Sequence, residues 1–348
     1  MSQMGRRQND PEPYRFTSLT LLLVGFISCA VVYTVLSVIL NPNTSFTNSD
    51  SKSLVLKEKS FGSNVDDGGE CCRGIENLEL WGDAVKWGSE FKLSSAKDCC
   101  QACKAMCNGN DGPCLCDSWV FCGNKESCGS QFGECWLKKQ KDSLAPARQE
   151  GGDKVSWTSG LIFGKGEGIV GLETEYGTLH IKLFPDCAPH SVYYILELLT
   201  LHHCAGCHFF RAESRGKFWD SEGNHIKDAP FGPPFALIQG TLEAHGEAFN
   251  KIPTEVCPTI ERGSVAWVGS GPEFLISLAD HQEWKKAYTV FGSVLPEDMH
   301  IAEKIAQLPV RSDVWNSINV SVLEKPVPLM VRRIKKSLGE VDRNVKVN

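Results

Sequence analysis

No excess of positive charge runs through this chain. Its 36 Lys and Arg stand against 42 Asp and Glu, a net charge of −6 at pH 7, which argues against a general nucleic-acid binder. Charge of either sign is missing from residues 16–40, FTSLTLLLVGFISCAVVYTVLSVIL, a run of 25 positions. As a helix such a run reaches ~37 Å at 1.5 Å per residue, enough to cross a ~30 Å hydrocarbon core. A cleaved signal peptide has a shorter apolar stretch, roughly 7–15 residues, and a buried core helix would carry a polar stripe. The expectation is therefore an uncleaved signal anchor. Two further signatures are wanting. The cysteines show no repeated C-x₂-C knuckles at zinc-finger spacing, and Cys100-Gln-Ala-Cys103 lacks the strand–helix setting of a thioredoxin. His202, His203 and His208 have no accompanying carboxylate pattern and read as surface or groove residues, so neither metal nor cofactor is expected.

What the chain does have is length for roughly two domains, 42% hydrophobic and 22% charged residues, and 16 cysteines. Eleven of those lie from Cys71 to Cys135: Cys71, Cys72, Cys99, Cys100, Cys103, Cys107, Cys114, Cys116, Cys122, Cys128 and Cys135. That density suits a small disulfide-held domain in an oxidising compartment. The odd count calls for a free thiol, an intermolecular bridge, or a bond to one of the four later cysteines. Arg6, Arg7 and Arg15 precede the apolar run and Lys52 is the first base after it. This bias, with the cysteine load, predicts a single-pass type II protein of the Golgi or ER. Residues 1–15 form its cytosolic tail and 41–70 a Ser-, Asn- and Asp-rich flexible stem, with the bulk in the lumen. Asn43 and Asn319 open glycosylation sequons.

SSAKDCCQACKAM begins as a capped helix, with Ser95 and Asp98 three apart, and DSWVF and ECWLKK read as short strands. The helix that carries cysteines, with the strands after it, resembles the PAN/apple fold over residues 71–157. That resemblance implies a binding role toward a protein or a glycan.

Beyond LIFGKGEG the cysteines thin out and strands dominate. Residues 176–184 alternate, with Leu179, Ile181 and Leu183 on one face, and Pro185 stops the run. Ser191 is placed to cap an apolar helix through Leu201. A last helix starts near Pro296 with Met299, Ile301, Ile305 and Leu308 inward. TEYGTLHIKLFPDCAPHSVYYILELL, HFFRAE, FALIQGT, GSVAWVG, EFLISLA and YTVFGSVLPEDMHIAEKI, in that order, resemble the cyclophilin family of peptidyl-prolyl cis-trans isomerases. The resemblance implies a mainly β domain over 160–335, a closed eight-stranded barrel with two capping helices, before a charged tail at 336–348.

By the same resemblance Arg211 is the catalytic arginine and Gln239 the glutamine beside it. Phe235, Ala236, Leu237, Ala266, Glu273, Leu275, Trp284 and Tyr288 fall at substrate-contact positions. The chain departs from the family pattern at several of them. Phe210 stands where a histidine usually precedes the arginine, Leu275 replaces a phenylalanine and Glu273 a glutamine. Tyr288 stands at a histidine position, and AESRGKFWDSEGNHIKDAPFG is inserted as a polar loop beside the groove. Cys204-Ala-Gly-Cys207, just before the arginine, is a disulfide, a redox pair or two unrelated thiols, the bridge preferred in a lumen. Two functions remain open: a membrane-anchored lumenal prolyl isomerase acting on secretory clients, or a binding module that recognises prolyl peptides or glycans without turnover.

Overall fold

The computed structural model describes residues 71–107, 113–200, 204–244, 249–255 and 258–334. The 16–40 run, its flanking tail and stem, Asn43, Cys29, His202, His203, Cys257 and the 336–348 tail lie outside them. Among the described residues no helix is long and apolar enough to cross a membrane.

The N-terminal half builds seven strands: β1 (Ile75–Glu76), β2 (Leu78–Leu80), β3 (Asp83–Lys86), β4 (Ser118–Cys122), β5 (Cys135–Lys139), β6 (Arg148–Gly151) and β7 (Trp157–Leu161). Five of them form an antiparallel sheet in the order β1-β7-β4-β5-β3, and β2 pairs with β6. Helix α1 (Ala96–Lys104) packs on this sheet with Cys99, Cys100 and Cys103 buried. Ser95 Oγ accepts Asp98 N–H at 3.1 Å, so the cap read from the sequence forms. Disulfides join Cys72–Cys100, Cys99–Cys135, Cys103–Cys116, Cys107–Cys114 and Cys122–Cys128. The first four share a buried cluster with Trp119 and Leu137, a core too small to be expected to stand without staples. The eleventh cysteine, Cys71, bonds to Cys187 in the next module. Lys104 Nζ reinforces that seam, donating to Asp186 Oδ2 at 2.7 Å and to the Cys71 carbonyl at 3.0 Å.

The C-terminal half contributes β8 (Ile169–Thr174), β9 (Gly177–Leu183), β10 (His208–Glu213), β11 (Leu237–Thr241), β12 (Ser264–Trp267), β13 (Glu273–Ser277), β14 (Thr289–Val294), β15 (Val310–Trp315), β16 (Ile318–Pro328) and β17 (Met330–Arg333). All ten lie in one sheet, ordered β15-β16-β10-β11-β13-β12-β14-β9-β8-β17, where eight were expected. Only Leu329 separates β16 from β17, so one continuous segment borders β10 at one end of the run and β8 at the other. Counted as one strand, and with β15 set aside as the extra arm of a hairpin, they leave eight.

The alternation of β9 is borne out: Leu179, Ile181 and Leu183 are buried in the same core as Val192 and Ile195 of helix α2 (Pro189–Leu198). The start of α2 differs from the sequence expectation. It begins at Pro189, whose preset φ suits the first helical position, and Ser191 lies inside the first turn. The cap comes from 64 residues away. Glu255 accepts the backbone N–H groups of His190 and Ser191 at 2.9 and 3.1 Å and the Ser191 hydroxyl at 2.6 Å. A buried carboxylate thus meets the positive end of the helix. Helix α3 (Met299–Ile305) follows a short turn at Pro296–Asp298 and buries Met299, Ile301 and Ile305 as expected, with Leu308 packed beside them.

The inserted segment is not simply a polar loop. Its first two residues, Ala212 and Glu213, complete β10. Trp219 then returns to the core, 5.2 Å from the ring of His281 and donating its indole N–H to the Asp280 carbonyl at 3.3 Å.

Candidate active site

Arg211 owes its position to one irregularity. In an unbroken strand residues 209 and 211 share a face, and Phe209 is fully buried. The register slips between Phe209, which faces Gly240, and Arg211, which faces Gln239. Phe210 is the extra residue of this β-bulge, and bulges re-aim the side chains that follow. Phe209 and Ala212, three apart, are therefore both buried, while Arg211 and Glu213 share the opposite face.

The register then collects distant residues into one row. Arg211 faces Gln239, Gln239 faces Leu275, and Leu275 faces Ala266. Glu273 stands two residues from Leu275, the diagonal from which a long side chain reaches Gln239. Four positions read from the sequence thus lie side by side, with Glu273 adjoining. Leu275 and Ala266 are buried at the apolar end of this row, and Ala236 and Leu237 are buried as well.

The polar contacts run in a chain. Arg211 donates Nε–H to Glu213 Oε1 at 2.9 Å, with Nη2 also 2.9 Å from that oxygen as an ion pair, and donates Nη1–H to Gln239 Oε1 at 2.9 Å. Gln239 Nε2 donates in turn to Glu273 Oε2 at 2.8 Å. Glu213 is the residue sequence reasoning missed. Its Oε2 accepts the Phe235 N–H at 2.6 Å, and its Oε1 accepts the Ser321 N–H at 3.3 Å. Its signal was available: two places past the arginine on the same strand, it had to share the arginine's face.

Aromatic rings enclose the cluster. The guanidinium carbon is 5.6 Å from the ring centroid of Phe235 and 5.4 Å from that of Trp315, within cation–π range. Trp315 ends β15, its indole N–H held by Asp313 Oδ2 at 3.1 Å. No local pattern flagged it, because only the β15–β16 hairpin brings it to the arginine. Trp284 stacks on His281 at 3.6 Å and lies 5.2 Å from Tyr288 and 6.4 Å from Phe235. Burial raises the Tyr288 phenol above its ordinary pKa, with Arg211 opposing, so at neutral pH it is a neutral hydrogen-bonding group. Burial also lowers the His281 pKa, against the pull of Glu283, which its Nδ1 meets at 2.7 Å. His208, half-buried at the start of β10, places Nδ1 2.5 Å from the Gly206 carbonyl.

Cys204 and Cys207 are bonded to each other and buried below β10. Asn319 is exposed at the start of β16. Among the described residues no cluster of three or more His, Cys, Asp and Glu could hold a metal. A separate cavity of about 550 Å³, lined by His190, Tyr194, Phe249 and Ile252, contains none of these groups.

The arrangement suits one kind of chemistry. A guanidinium has five N–H donors, and two of them, on Nε and Nη1, make hydrogen bonds within the protein. The remaining donors, flanked by two rings beside the apolar end of the row, can meet a weak acceptor of a peptide. A twisted prolyl amide is such an acceptor, since loss of resonance makes its nitrogen basic.

Comparison with known proteins places part of the chain in a family. Residues 169–326 match the family model for cyclophilin type peptidyl-prolyl cis-trans isomerase/CLD. The chain is similar to peptidyl-prolyl cis-trans isomerase-like 3 of Gallus gallus, Rattus norvegicus and Homo sapiens. Each is 24% identical over 155 residues, 43% of this chain and 89% of the relative. Among solved structures, a cyclophilin type peptidyl-prolyl cis-trans isomerase of Cryptosporidium parvum is 15% identical, with a TM-score of 0.34, covering 48% of this chain and 99% of that one. Cyclophilin AquaCyp293 of Hirschia baltica is 13% identical, with a TM-score of 0.23, covering 45% and 73%. On the family match, residues 169–326 form a domain of the cyclophilin type, and the enzyme class this supports is an isomerase.

Proposed function

We propose that this chain catalyses cis-trans isomerisation of prolyl peptide bonds at Arg211, on clients in the lumen of the secretory pathway. The observation that carries the reading is the Arg211–Gln239 pair, brought face to face by the β10 bulge and enclosed by Phe235 and Trp315. Rotation about an X-Pro bond meets a barrier of ~18–20 kcal/mol. A donor aimed at the pyramidal nitrogen of the twisted state favours that state over both planar ones, which lowers the barrier without nucleophile, metal or proton relay. Phe235, Trp284 and Tyr288 offer the proline ring its apolar surface.

Further parts of this reading rest on the sequence. The uncharged 16–40 run supports a type II membrane anchor, and the load of cysteines supports a lumenal setting in the Golgi or ER. We read residues 71–157 as an apple-like module that binds a protein or glycan, on the pattern of one helix bridged to a strand by Cys99–Cys135. We also infer that the eight strands left after β15 is set aside close into a barrel, since β16 and β17 are joined through Leu329. The binding-module alternative has one observation in its favour: Glu273 already occupies the amide of Gln239. A protease-coupled assay on an Ala-Pro peptide decides between them. Turnover above the uncatalysed rate supports the isomerase, while binding of prolyl peptides without turnover selects the alternative.

A further inference from the structure

We propose that Glu273 determines specificity in the groove and selects prolyl segments that carry a lysine or arginine beside the proline. The inference rests on the isomerase reading and names the substrate class for that same site.

The hydrogen-bonded cluster holds two carboxylates against one guanidinium. Glu213 is fully engaged: its side chain is 1% exposed and takes hydrogen bonds from Arg211, Phe235 and Ser321. The Arg211–Glu213 pair is therefore close to neutral toward a client. Glu273 is different. It is exposed on β13, and the cluster meets its charge only with the neutral amide of Gln239. One carboxylate charge is left over at the groove.

The same contact fixes the orientation of Gln239. Its oxygen must face the guanidinium, which has only donors, and its NH₂ must face the carboxylate, which has only acceptors. In that state Nε2 is turned to Glu273 rather than to a client carbonyl. A cationic side chain that pairs with Glu273 draws the carboxylate away and turns Nε2 over to the peptide. An acidic side chain meets like charge and leaves the Gln239–Glu273 contact shut. The groove then discriminates twice, by attraction and by the hydrogen bond it releases.

The test uses the full-length chain and three peptides that differ only in the residue before proline: Lys, Ala or Glu. The expected Lys-to-Glu ratio of kcat/KM is at least about fivefold at low ionic strength, of the order set by one unit-charge pair near 4 Å. It should shrink as salt is raised. Glu273→Gln should bring the ratio close to one, and Glu273→Asp should keep most of it. A wild-type ratio at or below one overturns the proposal, as does a ratio that Glu273→Gln leaves intact. Turnover of the Ala peptide reports on the isomerase reading separately. If no peptide is turned over, that reading fails, and the Lys-to-Glu ratio of dissociation constants then tests Glu273 by the same criteria. Failure to bind any of the three overturns both.

Discussion

Glu213 Oε1 accepts Nε–H of Arg211 at 2.9 Å and pairs with its Nη2 at the same distance, in a carboxylate that is 1% exposed beside a guanidinium that is 12% exposed. Breaking such a pair on one side leaves a charge stranded in a poorly solvated place. Glu213→Ala is expected to lower stability by about 3 kcal/mol, at the low end for buried pairs because Arg211 keeps some solvent. Replacing both partners by leucine should cost less. Urea denaturation of the two variants measures the difference, and equal losses would remove the case for a buried pair.

Arg211→Ala should reduce kcat/KM on prolyl peptides by at least ~10-fold, about 1.4 kcal/mol of transition-state stabilisation. Arg211→Lys should also be impaired, because an ammonium cannot serve Glu213, Gln239 and a client from one planar fork. Steady-state rates on an Ala-Pro peptide read both, and an active wild type indifferent to Arg211→Ala would sink the mechanism.

Phe210 is the odd residue of the bulge, so its removal should leave the faces of its neighbours unchanged. Deleting it makes Phe209 and Arg211 adjacent in a regular strand, where they take opposite faces as they do across the bulge. Deletion should therefore keep Arg211 paired with Gln239, as should Phe210→Ala, and loss of that pairing on deletion would show that the bulge itself is required. Amide exchange along β10 and β11 distinguishes the outcomes.

Cys187→Ser should loosen the seam between the two halves. Its bridge spans a sequence separation of 116, and loss of a native disulfide typically costs ~2–5 kcal/mol. Cys71→Ser should match it, and the double variant should be no worse than either. Non-reducing peptide mapping should recover the Cys71–Cys187 pair, and limited proteolysis should show faster cleavage between residues 162 and 168 in the variants.

His281 should make the domain acid-labile. Burial holds its folded pKa below the ordinary value of 6.5, so the unfolded chain takes up a proton that the folded one refuses. Stability is then complete above about pH 6.5 and falls as pH drops toward the folded pKa, by at most ~1.4 kcal/mol per pH unit. His281→Asn should flatten this slope between about pH 7.5 and 5.5 in urea melts. An unchanged slope would assign the acid lability elsewhere.

Much of the architecture was already legible along the chain, where burial follows the local period. Leu179, Ile181 and Leu183 repeat every second residue, and Ile301 and Ile305 lie four apart on one face of a short helix. Both faces turned out to be core. Ser95 lies three places before the N–H it caps. The row of Arg211, Gln239, Leu275 and Ala266 was foreseen as a set of positions, by resemblance rather than by contact.

Sequence alone determined which residues are apolar, which segments alternate, and that the cysteines of the first module are one too many to pair among themselves. Tertiary structure decided the rest: Cys187 as the partner of Cys71, Glu255 as the cap of α2, and Trp315 over the arginine. It also decided that Phe210 bulges out, so that Arg211 joins Gln239 instead of the core. The physical reason is range. A period of two or 3.6 residues is a property of neighbours, and the chain displays it wherever it is read. A register between strands, or a carboxylate capping a helix from 64 residues away, exists only after the sheet has closed the distance, and no local pattern encodes which partner will be waiting there.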